Sequence, residues 1–203
     1  MSIFQHKENA RNALSISDGK KIIGFVSRFE EKKGWEVFIQ MCFNLKKESE
    51  QYIFIMIGEG TQESQLRNLV KKLNLENDIL ILSMKSQKQL SLYYSLFDVM
   101  CFPTYRKSES LGLVGIEAMA CKTIVVASNI GGPSSYIENE INGFLFIPKD
   151  ISDLTEKVKT ALSLKDEEKR KMLNNAYNTA KLFSVEKIQK DFVEYFNELI
   201  DKE

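Results

Sequence analysis

Short apolar runs alternate with amphipathic stretches along most of the chain, and this alternation limits the possible folds more than any other feature. Residues 21–26, 52–57, 78–82, 98–102, 123–127 and 143–147 read as strands. The second, Tyr52-Ile53-Phe54-Ile55-Met56-Ile57, is apolar at every position, as expected of a strand covered on both faces. Between the runs lie stretches with helical spacing: residues 34–47 (Trp35, Phe38, Ile39, Cys42, Leu45), a helix marked by Leu66, Leu69, Val70 and Leu73, then 90–96 and 113–120. After Asp150 the pattern is wholly helical, with helices expected over 151–164, 166–182 and 184–200. Strands separated by helices imply parallel βαβ units, and thus an α/β fold with a doubly wound parallel sheet of about six strands and C-terminal helices. Ligands of such sheets bind at the carboxyl ends of the strands. All three prolines (Pro103, Pro133, Pro148) are expected just outside regular elements.

Bulk properties narrow the function classes. With 203 residues, 43% of them hydrophobic, the chain is expected to form one domain with a proper core. Lys+Arg and Asp+Glu balance at 28 each, so no overall field recruits nucleic acid or an anionic membrane, and any anion site must be local. Cys42, Cys101 and Cys121 have no metal-ligand spacing, and two of them sit in apolar surroundings as small core residues. His6, the one histidine, lies in a polar stretch, which argues against a His-based metal site or triad. Neither a signal peptide nor a membrane-length apolar run is evident, and a reduced, cytoplasmic, soluble domain is expected.

Three loops at carboxyl ends of strands hold the residues able to do chemistry. In Ser27-Arg28-Phe29-Glu30-Glu31-Lys32-Lys33-Gly34, a guanidinium and an ammonium suit a pyrophosphate; the alternative is a solvated charged turn. In the run from Ser108 to Ala120, two carboxylates separated by seven residues bracket the turn Leu111-Gly112-Leu113, which opens an apolar helix. A helix amino end suits phosphate, whereas Glu109 and Glu117 suit hydroxyls, to which carboxylates make strong hydrogen bonds. A ligand with both phosphates and hydroxyls is a nucleotide sugar. Glu117 stands among Leu113, Val114, Ile116 and Met119, and a carboxylate amid so much apolar surface is costly unless it faces a ligand or cation; otherwise it occupies the solvated face of its helix. In Asn129-Ile130-Gly131-Gly132-Pro133-Ser134 the paired glycines permit close backbone approach or a left-handed turn. Gly58-Glu59-Gly60 starts like a dinucleotide fingerprint but meets Glu63 where the third glycine should stand. No P-loop and no D-x-D metal clamp occur.

The pairs Arg28/Lys33 (R-x4-K) and Glu109/Glu117 (E-x7-E), followed by Gly131-Gly132, resemble in order and placement the C-terminal half of GT-B retaining glycosyltransferases of family 4, the glycosyl transferases group 1. The resemblance runs from about Lys21 to Asp150, with the terminal helices in keeping. It implies a Rossmann-like nucleotide-sugar-binding domain over residues 1–203: an entry helix or linker (1–20), a core (21–150) and C-terminal helices (151–203). It further implies that Arg28 and Lys33 hold the donor diphosphate, assisted by backbone amides around Gly112 and Leu113 and by Leu111. Glu109 would contact the donor sugar and Glu117 the ribose. The catalytic set would be Glu109, Arg28 and Lys33, with no metal and no cofactor beyond a UDP-, GDP- or ADP-sugar substrate. The chain departs from the family pattern at Lys122 and Ile124, where Gly and Pro are usual, at Ser135, where an acid is common, and at Ser83-Met84, where a Gly is usual.

With its first strand near Lys21, the chain is expected to lack the N-terminal GT-B domain. The whole enzyme would transfer a hexosyl group to a glycan or lipid-linked acceptor, and this chain alone would bind donor but turn over poorly. A partner domain or subunit is then expected, with membrane association through that partner. The alternatives are a non-catalytic subunit of a split glycosyltransferase and half of a nucleotide-sugar epimerase.

Overall fold

A computed structural model describes residues 19–200, with side chains to Asn197. The entry segment 1–20, except its last two residues, and the side chain of Leu199 therefore lie outside the described residues. The strands are β1 (Lys21–Val26), β2 (Tyr52–Ile57), β3 (Ile79–Leu82), β4 (Val99–Phe102), β5 (Ile124–Ser128) and β6 (Phe144–Phe146). They form one six-stranded parallel sheet in the order β3-β2-β1-β4-β5-β6. This is the doubly wound architecture that the alternation predicts.

Side-chain alternation along the buried strands divides the core in two. Ile23 and Phe25 of β1 and Phe54 and Met56 of β2 face one side, where α1 (Trp35–Glu48), α2 (Glu63–Lys72) and α6 (Ile151–Ser163) pack on them. Phe25 and Phe38 meet there with ring centroids 5.2 Å apart, a pairing worth about 0.5–1.5 kcal/mol beyond area burial. Ile22 and Val26 of β1, with Ile55 and Ile57 of β2, face the other side. That face is covered by α3 (Gln87–Leu96), α4 (Leu113–Ala120) and α7 (Asp166–Lys181). Cys42 and Cys101 are fully buried core residues, as expected.

Two local features differ from expectation. Helix α3 starts at Gln87 rather than Leu90, because Ser86 forms a capping box: its Oγ accepts from the Gln89 amide at 3.4 Å while Gln89 Oε1 accepts from the Ser86 amide at 3.1 Å. Pro133 does not stand outside regular structure; it opens the one-turn helix α5 (Pro133–Tyr136), at a first position where its missing N–H costs nothing. The last helix, α8 (Val185–Ile200), begins behind Ser184, whose Oγ accepts from the Lys187 amide at 3.2 Å.

Candidate functional site

The sheet order places β1 beside β4, and their following helices α1 and α4 cover opposite faces. The loops leaving β1 and β4 thus part at a topological switch point, where a crevice opens at the carboxyl ends of the strands. Both loops end in a helix, and both carry residues that the sequence singles out.

From the β1 loop, Lys33 turns inward and is nearly buried. Its Nζ lies 2.6 Å from Glu109 Oε2, and the two side chains are only 11% and 13% exposed. Thr104, fully buried at the start of the β4 loop, has Oγ1 3.3 Å from the same Glu109 oxygen and 3.2 Å from the Lys32 carbonyl. The Tyr105 amide donates to that carbonyl at 2.9 Å, so the two loops are tied together at Lys32. Arg28 behaves differently. Its side chain is 58% exposed and its guanidinium pairs with Glu30 at 3.0 Å, although the residue also borders the crevice.

Helix α4 points its amino end at this pair. Gly112 caps it in the left-handed region, with φ 70°, and supplies no side-chain hydrogen bond, so the first-turn amides of Leu113 and Val114 remain available. A Cβ at Gly112 would come within 2.4 Å of the Phe102 ring, so only glycine fits. The cleft so formed has a volume of about 420 Å³ and is bordered by Arg28, Lys33, Glu109, Leu111, Gly112 and Leu113. These are the residues expected there from the sequence, apart from Glu117.

Glu117 lies one turn along α4 and is not among the residues that border that cleft. It is half-buried, not on a freely solvated face. Its Oε2 accepts from the Tyr94 hydroxyl at 3.0 Å and its Oε1 from Gln87 Nε2 at 3.4 Å. Burial, then the Glu117 charge, hold the Tyr94 hydroxyl well above the ordinary tyrosine range. Each carboxylate oxygen has a further lone pair for an incoming hydroxyl.

The paired glycines approach protein backbone. The Gly132 amide donates to the Glu109 carbonyl at 2.9 Å, and a Cβ there would stand 2.3 Å from the Ser110 carbonyl oxygen. Gly131-Gly132 therefore hold the Glu109 loop from behind. Tyr136 of α5 adds a hydrogen bond from its hydroxyl to the Gly112 carbonyl at 3.2 Å. Thr104, Tyr94 and Tyr136 were not singled out from the sequence; of these, only Tyr94, a hydroxyl within an apolar helix face, leaves a trace in the pattern. Among the described residues, no group of three or more His, Cys, Asp or Glu side chains is placed to hold a metal ion. No helix among them is long and apolar enough to cross a membrane.

The sequence profile of glycosyl transferases group 1 matches residues 6–179. The D-inositol 3-phosphate glycosyltransferase of Corynebacterium urealyticum is 31% identical over 199 residues, which cover 95% of this chain and 46% of that protein. Anabaena Alr3699/HepE, solved in complex with UDP and glucose, superimposes with a TM-score of 0.85 at 23% identity, covering 95% of this chain and 52% of that one. The C-terminal domain of the group 1 family protein LpcC from Francisella tularensis superimposes with a TM-score of 0.74 at 23% identity, covering 89% of this chain and 92% of that domain. The chain spans less than half the length of the curated relatives it matches. Its sheet and helices have the architecture of one half of a GT-B glycosyltransferase. From Lys33 to Gly132 the crevice is built on the segment that the profile covers, and the chain belongs to the glycosyl transferases group 1 family.

Proposed function

We propose that the crevice between the β1 and β4 loops binds a nucleoside-diphosphate sugar, and that the chain is the donor-binding half of a retaining glycosyltransferase. The observation that carries this reading is the Lys33–Glu109 pair, held beside the uncapped amino end of α4. Cation and helix end together favour a diphosphate, while the carboxylate favours sugar hydroxyls. Lys33 and Arg28 hold the diphosphate with the amides of Leu113 and Val114, Leu111 walls the cleft, Glu109 orients the sugar and Glu117 takes the ribose hydroxyls. In the transfer, the bond from the anomeric carbon to the β-phosphate oxygen breaks and a bond to an acceptor hydroxyl oxygen forms. The hydroxyl proton passes to the departing phosphate oxygen or to solvent, and the nucleoside diphosphate leaves with the bonding electron pair, its charge met by Lys33 and Arg28. No metal enters this scheme.

The acceptor is a glycan or a lipid-linked molecule, and most of the groups around it come from a partner domain or subunit, through which the protein sits at the cytoplasmic side of a membrane. Family membership, together with the UDP and glucose seen in the Anabaena neighbour, supports the donor class. A non-catalytic role in a split enzyme is favoured by one observation, the exposed apolar face of α8.

Calorimetric titration of UDP, GDP and ADP, each with and without a chelator, tests the proposal. One of them binds, indifferent to the chelator, and Lys33→Ala weakens it by about tenfold or more. Failure of all three to bind overturns the donor reading and leaves the non-catalytic subunit. Product formed by this chain alone from donor and acceptor would overturn its being half an enzyme.

A further inference from the structure

Behind the Lys33–Glu109 pair lies a second cavity of about 650 Å³ with a different chemistry. Four cations border it, drawn from three loops: Lys32 after β1, Arg106 and Lys107 after β4, and Lys149 after β6. No carboxylate is among its lining residues. In a chain whose acids and bases balance at 28 each, this is not a consequence of bulk charge. Glu31 lies 3.6 Å from the Lys32 ammonium, and Glu36 accepts the Tyr105 hydroxyl through one oxygen while its other oxygen is buried without a partner. Arg106 has only the Ser108 hydroxyl, at 3.2 Å from its Nε, and Lys149 stands over the Tyr105 ring at 4.4 Å. Among the described residues, Arg106, Lys107 and Lys149 have no carboxylate within ion-pair distance.

The backbone that presents these cations is unusual. Lys32 and Lys149 both adopt left-handed conformations, with φ 66° and 69°. Such a residue costs roughly 1–2 kcal/mol relative to an ordinary conformation. Lys107 and Lys149 are exposed, so water screens part of the repulsion in this group; a bound anion removes the rest, and a guanidinium with flanking ammonium groups matches phosphate.

Position gives this cavity its meaning. Lys32 borders it while the next residue, Lys33, borders the donor cleft; Ser108 borders it while Glu109 borders the donor cleft. The two spaces therefore share the Lys32–Lys33 and Ser108–Glu109 walls. We propose that the cavity between Lys32, Arg106, Lys107 and Lys149 is a second anion site, which receives a phosphate group carried by the acceptor. The acceptor role rests on the donor reading; the anion site itself does not. A phosphate held there fixes the acceptor beside the sugar that Glu109 orients, and the chain then selects phosphate-bearing acceptors over neutral ones.

The test is an amide NMR titration of the chain with inorganic phosphate at constant ionic strength, alone and in the presence of the nucleoside diphosphate that binds. Saturable shifts at residues 106–108 and at Lys149, persisting with nucleotide present, are expected. Arg106→Gln/Lys149→Gln weakens phosphate by about tenfold or more and leaves nucleotide affinity unchanged. Lys33→Gln does the reverse. Shifts that survive in the double variant, shifts confined to the amides of 112–114, displacement of phosphate by nucleotide, or no saturable shift each overturn the proposal. Nucleotide failing to bind while phosphate still shifts residues 106–108 would remove the donor reading and the acceptor role but leave the anion site. Flotation with phosphatidylcholine vesicles, with and without phosphatidic acid, separates the sources. Association that needs phosphatidic acid and both cations assigns the phosphate to a lipid headgroup; phosphate shifts without association assign it to a soluble or glycan-borne group.

Discussion

Lys33 carries three N–H donors, and Glu109 takes one of them at 2.6 Å. The ammonium can thus bridge a carboxylate and a phosphate, but the carboxylate charge opposes the diphosphate that Lys33 attracts. Glu109→Gln is therefore expected to leave the affinity for the bare nucleoside diphosphate unchanged or raised. It should erase the extra affinity contributed by the sugar, by about tenfold, since a charged acceptor for its hydroxyls is lost. Calorimetry comparing UDP with UDP-glucose reads both signs, and parallel losses for the two ligands would refute the division of labour. A second residue shows the cost of departing from the family pattern. Lys122 stands where glycine is usual, and its φ is 56°. Relief of left-handed strain, roughly 1–2 kcal/mol, exceeds the roughly 0.4–1 kcal/mol lost to a freer unfolded chain. Lys122→Gly also gives up the ammonium that lies 5.4 Å from the Tyr177 ring, worth about 0.5 kcal/mol at an exposed site, so it is expected to stabilise by no more than about 0.5–1 kcal/mol, seen as a higher urea midpoint at unchanged slope. Each of these side chains is legible in the sequence as a type at a spacing. Their pairing is not: Lys33 and Glu109 are 76 residues apart and meet only because β1 and β4 are sheet neighbours.

Helices α3 and α4 illustrate the same limit one level up. Their existence follows from apolar periodicity, and α4 spans the expected residues, yet nothing in either periodicity says that Tyr94 will donate to Glu117. That contact depends on how the two helices lie on one face of the sheet. The start of α3 was hidden because its first turn is polar and only the Ser86/Gln89 capping box marks it. One-turn α5 is too short for any period to show. The strands were the clearest elements, since buried parallel strands are nearly continuous apolar runs. The α3–α4 contact makes a pH-dependent claim. Tyr94 is held above its ordinary value of 10.0 by burial and by Glu117, so the folded state binds its proton more tightly than the unfolded chain does. Its contribution is complete below about pH 10 and is lost as pH rises above that. Tyr136, raised by burial and by Glu109, acts in the same direction. Urea midpoints should therefore begin to fall near pH 9, where the thiols of Cys42 and Cys101, also raised by burial, join in, and Tyr94→Phe should flatten, without abolishing, the fall above pH 10. A variant whose alkaline decline matches the parent would show that Tyr94 does not carry it.

Across the whole molecule, α8 is the part that the core does not explain. Every described side chain from Val185 to Asn197 is exposed, including Val185, Ile188, Phe192, Val193, Tyr195 and Phe196. Phe192 and Phe196 touch each other, with ring centroids 5.2 Å apart, and the apolar face they form stays largely open to solvent. Two intrahelical ion pairs, Lys187–Asp191 and Lys190–Glu194, lie at the solvent-exposed surface, where water and salt screen them and they add little. A 16-residue helix supported by so little is marginal in water, because propensity alone barely offsets nucleation. The rest of the chain is stabilised by two-sided burial of its sheet, so opening α8 exposes no core residue. Amide hydrogen exchange of the chain by itself should therefore divide sharply. Amides of β1, β4 and β5 should exchange only through global unfolding, whereas those from Ile188 to Asn197 should exchange within a few fold of unprotected rates. Adding the domain that completes the proposed enzyme should slow exchange in α8 before it alters the sheet, because the new contact forms on the helix face. Protection of α8 equal to that of the sheet, in a chain shown to be monomeric, would mean that the helix is stable without a partner, and the case for a covered face would fall with it.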